Sequence, residues 1–290
     1  MKKIIVSTLV LGLCMAMTFA IGKSESSGGF DGEVTASGSS ALLPLAQLGA
    51  ENFMEKYPNS NISITGGGSG TGLKQVAAME VTIGNSDLFA EEKLDASQAA
   101  DLKDHRVCTV TMAPIVNKES GITNLTQNQL IDIFTGKVTN WKEVGGPDLR
   151  IMLITRPTSS GTRALFTQYG LNGNEEIMGA MENDNSGELL TAVSQNKGAI
   201  GYIALSYLLN NPNVQPVSVD GIAPTLENIY SGDYLIWGYE HMYTNTKAEI
   251  NETAEAFLAY MMSAEFAPYI EQLGYGASSK LSEKAINSHN

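Results

Sequence analysis

The residues with the clearest chemical potential lie in the stretch 153–166. This stretch begins as an apolar strand, passes Arg156 and the turn Pro157-Thr-Ser-Ser-Gly161, and continues as a helix that begins near Thr162. The first N–H groups of a helix lack intrahelical acceptors and carry the positive end of the helix dipole. With the planar guanidinium of Arg156 and the hydroxyls of Ser160 and Thr162, they make a typical anion site. Taken alone, the stretch fits a capped helix with a surface arginine equally well.

Two further stretches repeat this combination of hydroxyl groups, glycines and a helix start. One is Thr65-Gly-Gly-Gly-Ser-Gly-Thr-Gly-Leu-Lys74, and the other is Ala36-Ser-Gly-Ser-Ser-Ala-Leu-Leu-Pro44. Each follows a predicted strand and precedes a predicted helix. Three such turns in one chain favour one anion held by several helix ends over three unrelated caps.

Composition and charge limit the candidate partners. The chain has 290 residues, 43% of them hydrophobic, which is enough for two domains with cores of their own. It carries 18 basic and 31 acidic residues, for a net charge of −13. Nucleic acid and anionic membrane surfaces are therefore disfavoured as partners. A bound anion is still compatible with this charge, because remote charges are screened beyond roughly 10 Å while local donors act in contact.

The N-terminus predicts export. Lys2 and Lys3 precede an apolar run at 4–13, and Thr18-Phe-Ala20 fits a cleavage site. We therefore assign residues 1–22 to a signal peptide and 23–32 to a tether. The alternative is an uncleaved membrane anchor, although the apolar run is short for a span.

Cysteine use adds little to this picture. Cys14 lies in the apolar run, so the mature chain keeps only Cys108 and can form no internal disulfide. Lipid attachment at Cys14 stays open, although Leu13 is a poor residue before such a site. The expected location is the periplasm or the outer face of the cytoplasmic membrane.

The order of elements predicts a doubly wound α/β fold. Strands, turns and helices alternate, and every stretch named above lies at the carboxyl end of a strand, where such sheets bind ligands. Among the expected elements are a helix over 72–79, a helix over 188–196 capped by Ser186, and one strand over 214–219. Two long apolar runs, 105–116 and 234–243, are interpreted as crossings between two lobes. The predicted lobes are 33–112 with 240–290, and an inserted 113–239, arranged as a clamshell that closes about a hinge.

Catalytic chemistries find no support in the residues. The three histidines, His105, His241 and His289, are far apart in sequence and form no metal-ligand pattern. The chain has no Gly-x-Ser-x-Gly elbow, and the 66–74 turn lacks the Gly-Lys-Ser/Thr of a phosphate-binding loop and the dinucleotide spacing. We therefore expect a binding protein without a metal, a cofactor or turnover.

Asp87 ends a predicted core strand. It is an unusual residue for an anion site, because its carboxylate is negatively charged. A carboxylate repels a fully ionised ligand, and it helps only if the ligand donates a proton to it. Phosphate near neutral pH carries such a proton and sulfate does not, so Asp87 would favour phosphate. The alternative role is a cap on the following turn.

At these residues the chain resembles the phosphate-binding protein of the bacterial phosphate-specific ABC transporter, a PstS-like protein. The resemblance covers nearly all of the mature chain. Its motifs are Ser37-Gly-Ser-Ser-Ala-Leu-Leu-Pro-Leu45, Gly66-Gly-Gly-Ser-Gly-Thr-Gly72, Ile83-Gly-Asn-Ser-Asp87, the spacing from Arg156 to Thr162, and Gly198-Ala-Ile-Gly-Tyr202.

The resemblance implies a two-lobed substrate-binding fold of the periplasmic-binding-protein-like type II, with each lobe a mixed sheet flanked by helices. It also implies inorganic phosphate as ligand, an ABC permease as partner, and a monomer. Carried over by position, the phosphate-binding residues are Ser40, Ala41, Ser69 and Asp87 on one lobe, and Arg156, Ser160, Gly161 and Thr162 on the other.

This chain departs from the family pattern in two places. The family often has an acidic residue between the arginine and the serine, whereas this chain has Pro157-Thr158-Ser159. Arg156 is therefore less compensated, and selectivity depends more on Asp87. The chain also lacks a clear lipobox cysteine near residues 22–24. The rival hypotheses are a receptor for sulfate or molybdate, a phosphatase, and an adhesin or sensor that uses the fold without transport.

Overall fold

The computed structural model describes residues 29–208 and 211–289. The predicted signal peptide, with Cys14, and much of the predicted tether lie outside these residues. Within the described ranges, no helix combines the length and apolarity needed to cross a membrane. Cys108 is buried and its thiol is free.

The chain alternates strands and helices in the way that the sequence predicts. The strands are β1 (Glu33–Gly38), β2 (Asn61–Gly66), β3 (Ile83–Ser86), β4 (Leu102–Asn117), β5 (Asn124–Leu125), β6 (Met152–Thr155), β7 (Met181–Glu182), β8 (Ala199–Ala204), β9 (Val214–Pro216), β10 (Ser218–Val219) and β11 (Trp237–Asn245). The helices are α1 (Leu43–Lys56), α2 (Ser69–Ala77), α3 (Ala96–Ala100), α4 (Gln127–Phe134), α5 (Gly161–Leu165), α6 (Ser186–Gln195), α7 (Leu226–Ser231), α8 (Glu252–Met261), α9 (Ala267–Gln272) and α10 (Glu283–Asn287).

One mixed sheet runs through the molecule in the order β2-β1-β3-β11-β4-β8-β6-β7, with β9 also paired to β4. In its first half, β1 pairs in parallel with β2 and β3, and β11 is antiparallel to β3 and β4. In its second half, β8 is antiparallel to β4 and parallel to β6. The carboxyl ends of β1, β2 and β6 carry the three motifs that the sequence singles out, and Asp87 follows β3.

Strand β4 belongs to both halves. Over 16 residues, its first part pairs with β11 as far as Thr111, and its last part pairs with β8 from Met112 onward. The chain returns through residues 234–236, where the carbonyl of Ile236 accepts the N–H of Met112 at 2.8 Å, before β11 begins. The fold is thus the mixed α/β, clamshell-like architecture that the sequence predicts, with β4 continuous between its halves.

Three expected elements differ in their bounds. Helix α2 begins at Ser69, three residues earlier than the glycine content indicates. Helix α6 begins at Ser186, and its cap is Asn185, whose side chain accepts from the N–H of Glu188. The strand expected over 214–219 is two short strands in different sheets, because Val217 still donates to Pro114 on β4 whereas Ser218 donates to the carbonyl of Thr123.

Helices and loops bury the faces of the sheet. In the first half, α1 packs on α8, with the rings of Phe53 and Phe257 5.7 Å apart. In the second half, Trp141 is fully buried and its indole N–H donates to the carbonyl of Gly198 at 3.1 Å. These side chains belong to the hydrophobic core that supports the sheet.

The glycines of the 65–74 stretch also have a packing role. A Cβ on Gly72 would lie 2.5 Å from the carbonyl oxygen of Ser37 and 2.7 Å from the Cα of Gly38. Because real Cβ atoms do not approach so closely, only glycine lets α2 lie directly against the ends of β1 and β3. This close approach brings Ser69 next to the end of β3.

Helix α4 provides a test of local stability. Thr126 accepts the N–H of Gln129 at 3.1 Å, and Gln129 in turn accepts the N–H of Thr126 at 2.9 Å, which completes a capping box. We expect Thr126→Ala to lower the free energy of unfolding by about 1 kcal/mol. The matched control is Thr123→Ala at an exposed position that caps no helix. Urea denaturation compares them, and equal midpoints would contradict the capping role.

Candidate anion-binding site

The structure brings all eight predicted residues together. They come from the turn after β1, the start of α2, the end of β3, and the turn from β6 into α5. Each is buried: Ser40, Ala41, Ser69, Asp87, Arg156, Ser160, Gly161 and Thr162. The geometry therefore agrees with one shared site, and the role of each residue as a ligand contact stays a prediction.

Asp87 joins the two sides of this site. Its side chain accepts hydrogen bonds from the hydroxyl of Ser69 at 3.2 Å and from the hydroxyl of Thr162 at 3.0 Å. Its own N–H donates to the Ser69 oxygen at 3.0 Å. Ser69 belongs to the first half of the fold and Thr162 to the second, so the carboxylate fixes their relative position.

Arg156 is 1% exposed and has only uncharged oxygen partners. Its guanidinium donates to the hydroxyls of Ser186 and Ser40, each at 3.2 Å, and to the carbonyl of Asp184 at 3.0 Å. Within the described part of the chain, no carboxylate forms an ion pair with it. Burial lowers the pKa of Arg156, although a guanidinium stays charged at neutral pH.

The start of α5 supplies further donors. Ser160 caps this helix by accepting the N–H of Arg163 at 3.2 Å, which leaves its own hydroxyl hydrogen free to donate. The N–H groups of Gly161 and Thr162 are the first of the helix and lack intrahelical acceptors. On the other side, the hydroxyl of Ser39 accepts the N–H of Leu42 at 3.0 Å, which orients the turn carrying Ser40 and Ala41.

The two halves touch directly at the site, which is a closed arrangement. The N–H of Gly70 donates to the carbonyl of Ser159 at 2.9 Å. A Cβ on Gly161 would lie 2.2 Å from the Ser69 hydroxyl oxygen and 2.9 Å from the Cβ of Asp87. The absence of a side chain at Gly161 therefore permits the halves to approach.

Sequence reasoning missed two of the polar neighbours. Ser186 was expected only to cap a helix, yet its hydroxyl lies 3.0 Å from that of Ser40 and accepts from Arg156. Tyr207 donates to the carbonyl of Ser40 at 2.6 Å. Ser186-Gly187 at a helix start is the same hydroxyl and glycine signal as the other turns, so the signal was available for Ser186. Tyr207 has no local signal.

Arg163 on α5 is paired with an acid. Its Nε atom lies 3.3 Å from Oε1 of the buried Glu176, and its Nη1 donates to the carbonyl of Arg156 at 2.8 Å. Arg163 thus contacts Glu176 and the backbone of Arg156 rather than the cluster of hydroxyls.

A second carboxyl group lies behind Asp87. Glu240 on β11 is fully buried, and neither of its carboxyl oxygens has a hydrogen-bond partner among the described residues. Burial, with the nearby charge of Asp87, raises the pKa of Glu240 well above its usual range. Burial therefore favours the neutral form of Glu240, which adds no charge to the site.

The site's donors suit an anion without a metal. Within 29–208 and 211–289, no three or more His, Cys, Asp or Glu side chains are grouped so as to hold a metal ion. The arrangement offers one guanidinium, several hydroxyls and free helix N–H groups around a single acceptor carboxylate. Such a set can enclose a small oxyanion that donates one hydrogen bond and accepts many.

A sheet that runs through two halves, with a buried anion site where their strand ends meet, defines a class of two-lobed substrate-binding protein. In agreement, the family model described as the PBP superfamily domain matches residues 23–265.

Individual relatives narrow this class. The chain is 47% identical over 234 residues to the phosphate-binding protein PstS of Bacillus subtilis (strain 168), covering 81% of this chain and 76% of that one. A Clostridium perfringens protein, assigned as a phosphate ABC transporter substrate-binding protein and crystallised with bound phosphate, is 31% identical with a TM-score of 0.78, over 85% of this chain and 99% of the other. An ABC-type phosphate transport receptor from Vibrio cholerae is 26% identical with a TM-score of 0.66, over 84% and 99%. The chain belongs to the PstS family of phosphate-binding proteins.

The contact at Gly161 provides a test of the closed arrangement. We expect Gly161→Ala to lower the free energy of unfolding by about 1–3 kcal/mol, because the methyl group overlaps Ser69 and Asp87. Gly70→Ala is the matched control, since its Cβ would lie 3.4 Å from the Ser159 carbonyl oxygen and needs little adjustment. Urea denaturation measures both, and a neutral Gly161→Ala would show that the halves are not held in this contact.

Proposed function

We propose that this protein is an exported receptor that captures inorganic phosphate between its two lobes and delivers it to an ABC permease in the cytoplasmic membrane. The observation that carries the proposal is that one buried site contains both Arg156, which has no ion-pair partner among the described residues, and Asp87, which accepts hydrogen bonds. The named functions of the relatives support the same ligand.

Each of the eight residues has a role in the proposed site that follows from its chemistry. Arg156 supplies the positive charge, and the hydroxyls of Ser40 and Ser160 supply neutral donors. The hydroxyls of Ser69 and Thr162 donate to Asp87 and hold its carboxylate in the site. The N–H groups of Ala41, Gly161 and Thr162 add donors fixed by the backbone. Asp87 accepts the proton that phosphate retains near neutral pH, which a sulfate ion cannot provide.

The strength of binding needs no further group. Micromolar affinity corresponds to about 8 kcal/mol, and hydrogen bonds to charged groups contribute roughly 1.5–3 kcal/mol each. Six to eight such bonds are therefore sufficient after the costs of association and closure. Nothing in this set activates a nucleophile, so the proposal includes no turnover.

The lobe limits belong to the proposal as well. Residues 33–112 with 240–290 form one lobe, and 113–239 form the other. Strand β4 passes from one to the other at Thr111 and Met112, where its partner changes from β11 to β8. Opening would bend the chain there and at 234–236, and it would separate Asp87 from Thr162.

The contribution of Arg156 is tested by Arg156→Ala. We expect phosphate affinity to fall at least about 30-fold, because the variant removes the charge of a buried contact worth roughly 2–5 kcal/mol. Isothermal titration calorimetry on the phosphate-stripped protein gives the affinity. Arg150→Ala, at an exposed position, should bind as the wild type does. Near-normal binding by Arg156→Ala would instead assign the anion to Arg163 or the helix ends.

The role of Asp87 is tested by comparing phosphate with sulfate. We expect wild-type protein to bind phosphate and reject sulfate, and Asp87→Asn to bind sulfate at least about tenfold more tightly than wild type does, because the like charge is gone. Asp184→Asn is the matched control, since Asp184 is exposed and contacts Arg156 through a carbonyl that the change retains. Wild-type protein that binds both anions equally would favour a general oxyanion receptor.

A further inference from the structure

A buried acid is connected to both sides of the Arg156 backbone. The Glu176 side chain has no exposed surface, and its Oε1 atom accepts the hydroxyl of Tyr202 at 2.9 Å and lies 3.3 Å from Nε of Arg163. The Tyr202 hydroxyl in turn accepts the N–H of Arg156 at 3.2 Å, and Arg163 donates to the carbonyl of Arg156 at 2.8 Å. Only one side chain therefore separates Glu176 from the arginine of the anion site.

The groups that face Glu176 determine when it ionises. Burial, the largest influence, raises the pKa of Glu176 to about 7. The hydrogen bond from Tyr202 on β8 and the charge of Arg163 on α5 lower this pKa, while the adjacent Glu175 and Glu182 on β7 raise it. The second carboxyl oxygen, Oε2, is buried without a partner among the described residues, so no hydrogen bond to it stabilises the ionised form.

Tyr202 does not compete for that proton. Burial raises the pKa of Tyr202 well above its usual range, so its hydroxyl stays protonated and donates to Glu176. Arg163 is a permanent cation. Glu176 is therefore the group of this network that exchanges a proton near neutral pH.

We propose that phosphate capture draws a proton from solvent onto Glu176, which frees the charge of Arg163 to act on the bound anion. The inference rests on the proposed function. A negative ligand next to Arg156 disfavours a second negative charge nearby, so the neutral form of Glu176 gains as the site fills. By reciprocity, protonation of Glu176 strengthens phosphate binding by the same factor. No bond of the ligand changes in this step.

Proton counting by calorimetry tests the proposal. Phosphate is titrated into wild type, Glu176→Gln and Glu175→Gln near pH 7.5, in two buffers of different ionisation enthalpy. We expect wild type to take up a larger fraction of a proton than Glu176→Gln does, because glutamine cannot accept one. The phosphate's own proton exchange is common to all three proteins, so the difference isolates residue 176.

Glu175→Gln is the matched control. Glu175 is the neighbouring residue, it lies 3.9 Å from the same Arg163, and its side chain is 80% exposed. We expect it to match wild type in proton uptake. Equal uptake by wild type and Glu176→Gln would overturn the inference while leaving the proposed function intact. Absence of phosphate binding by wild type would overturn the proposed function itself.

Affinity gives a second, independent measurement. Below pH 7 Glu176 is mostly neutral and resembles glutamine, so wild type and Glu176→Gln should bind alike at pH 6. At pH 8 we expect Glu176→Gln to bind phosphate roughly fivefold more tightly, within the usual range of coupling between sites. A ratio that does not change with pH would point to a purely structural role for Glu176.

Wild-type protein alone provides the remaining test, which does not depend on a variant that folds. In protein labelled with carbon-13 at glutamate carboxyl groups, the Glu176 signal should titrate near neutral pH without phosphate. Saturation with phosphate should move that midpoint to higher pH. An unchanged midpoint would overturn the inference.

Discussion

The rest of the structure depends on holding a guanidinium where water does not reach it. Arg156 is 1% exposed, and its partners are hydroxyl and carbonyl oxygens rather than a carboxylate. Desolvating a charge is costly unless it is paired, and neutral dipoles offset only part of that cost. Among the described residues, no carboxylate is hydrogen-bonded to Arg156, so a bound anion would be the first negative charge in direct contact with its guanidinium. A carboxylate paired with Arg156 would neutralise its guanidinium and would therefore weaken phosphate binding.

This requirement explains why the site is assembled from turns and helix starts. Hydroxyls and backbone N–H groups orient toward an anion without adding charge of their own. They must come from both halves of the fold, because one strand end offers too few of them. Contacts such as Thr162 to Asp87 and Gly70 to Ser159 then form only when the halves meet. In the proposed function, closure and ligand enclosure are consequently the same event.

Local sequence signals predicted the parts of this site that lie in one motif. Arg156 and the 160–162 turn are contiguous, and Asp87 ends a recognisable strand, so local patterns singled them out, and the family resemblance grouped the eight residues into one site. Glu176, Tyr207 and Glu240 reach the site region from distant segments with no motif around them, and only tertiary packing reveals them. Glycine content also misplaced the start of α2, because contacts with β1 and β3 support a helix that intrinsic propensity disfavours. The sequence alone did not show which distant segments lie close together in the fold.

The acidic character of the chain makes the treatment of buried acids decisive. Most charged side chains that contribute to the net charge of −13 are exposed, so solvent screens them from the ligand. A buried carboxylate has no such screening. Each one near Arg156 must therefore accept hydrogen bonds, be neutral, or form an ion pair. Asp87 accepts hydrogen bonds within the site, burial favours the neutral form of Glu240, and Glu176 is paired with Arg163. Of the three, the pair is the arrangement that can change its charge near neutral pH, since the pKa of Glu176 is about 7. The charge presented to a bound anion is therefore set as much by the acids behind the site as by the arginine within it.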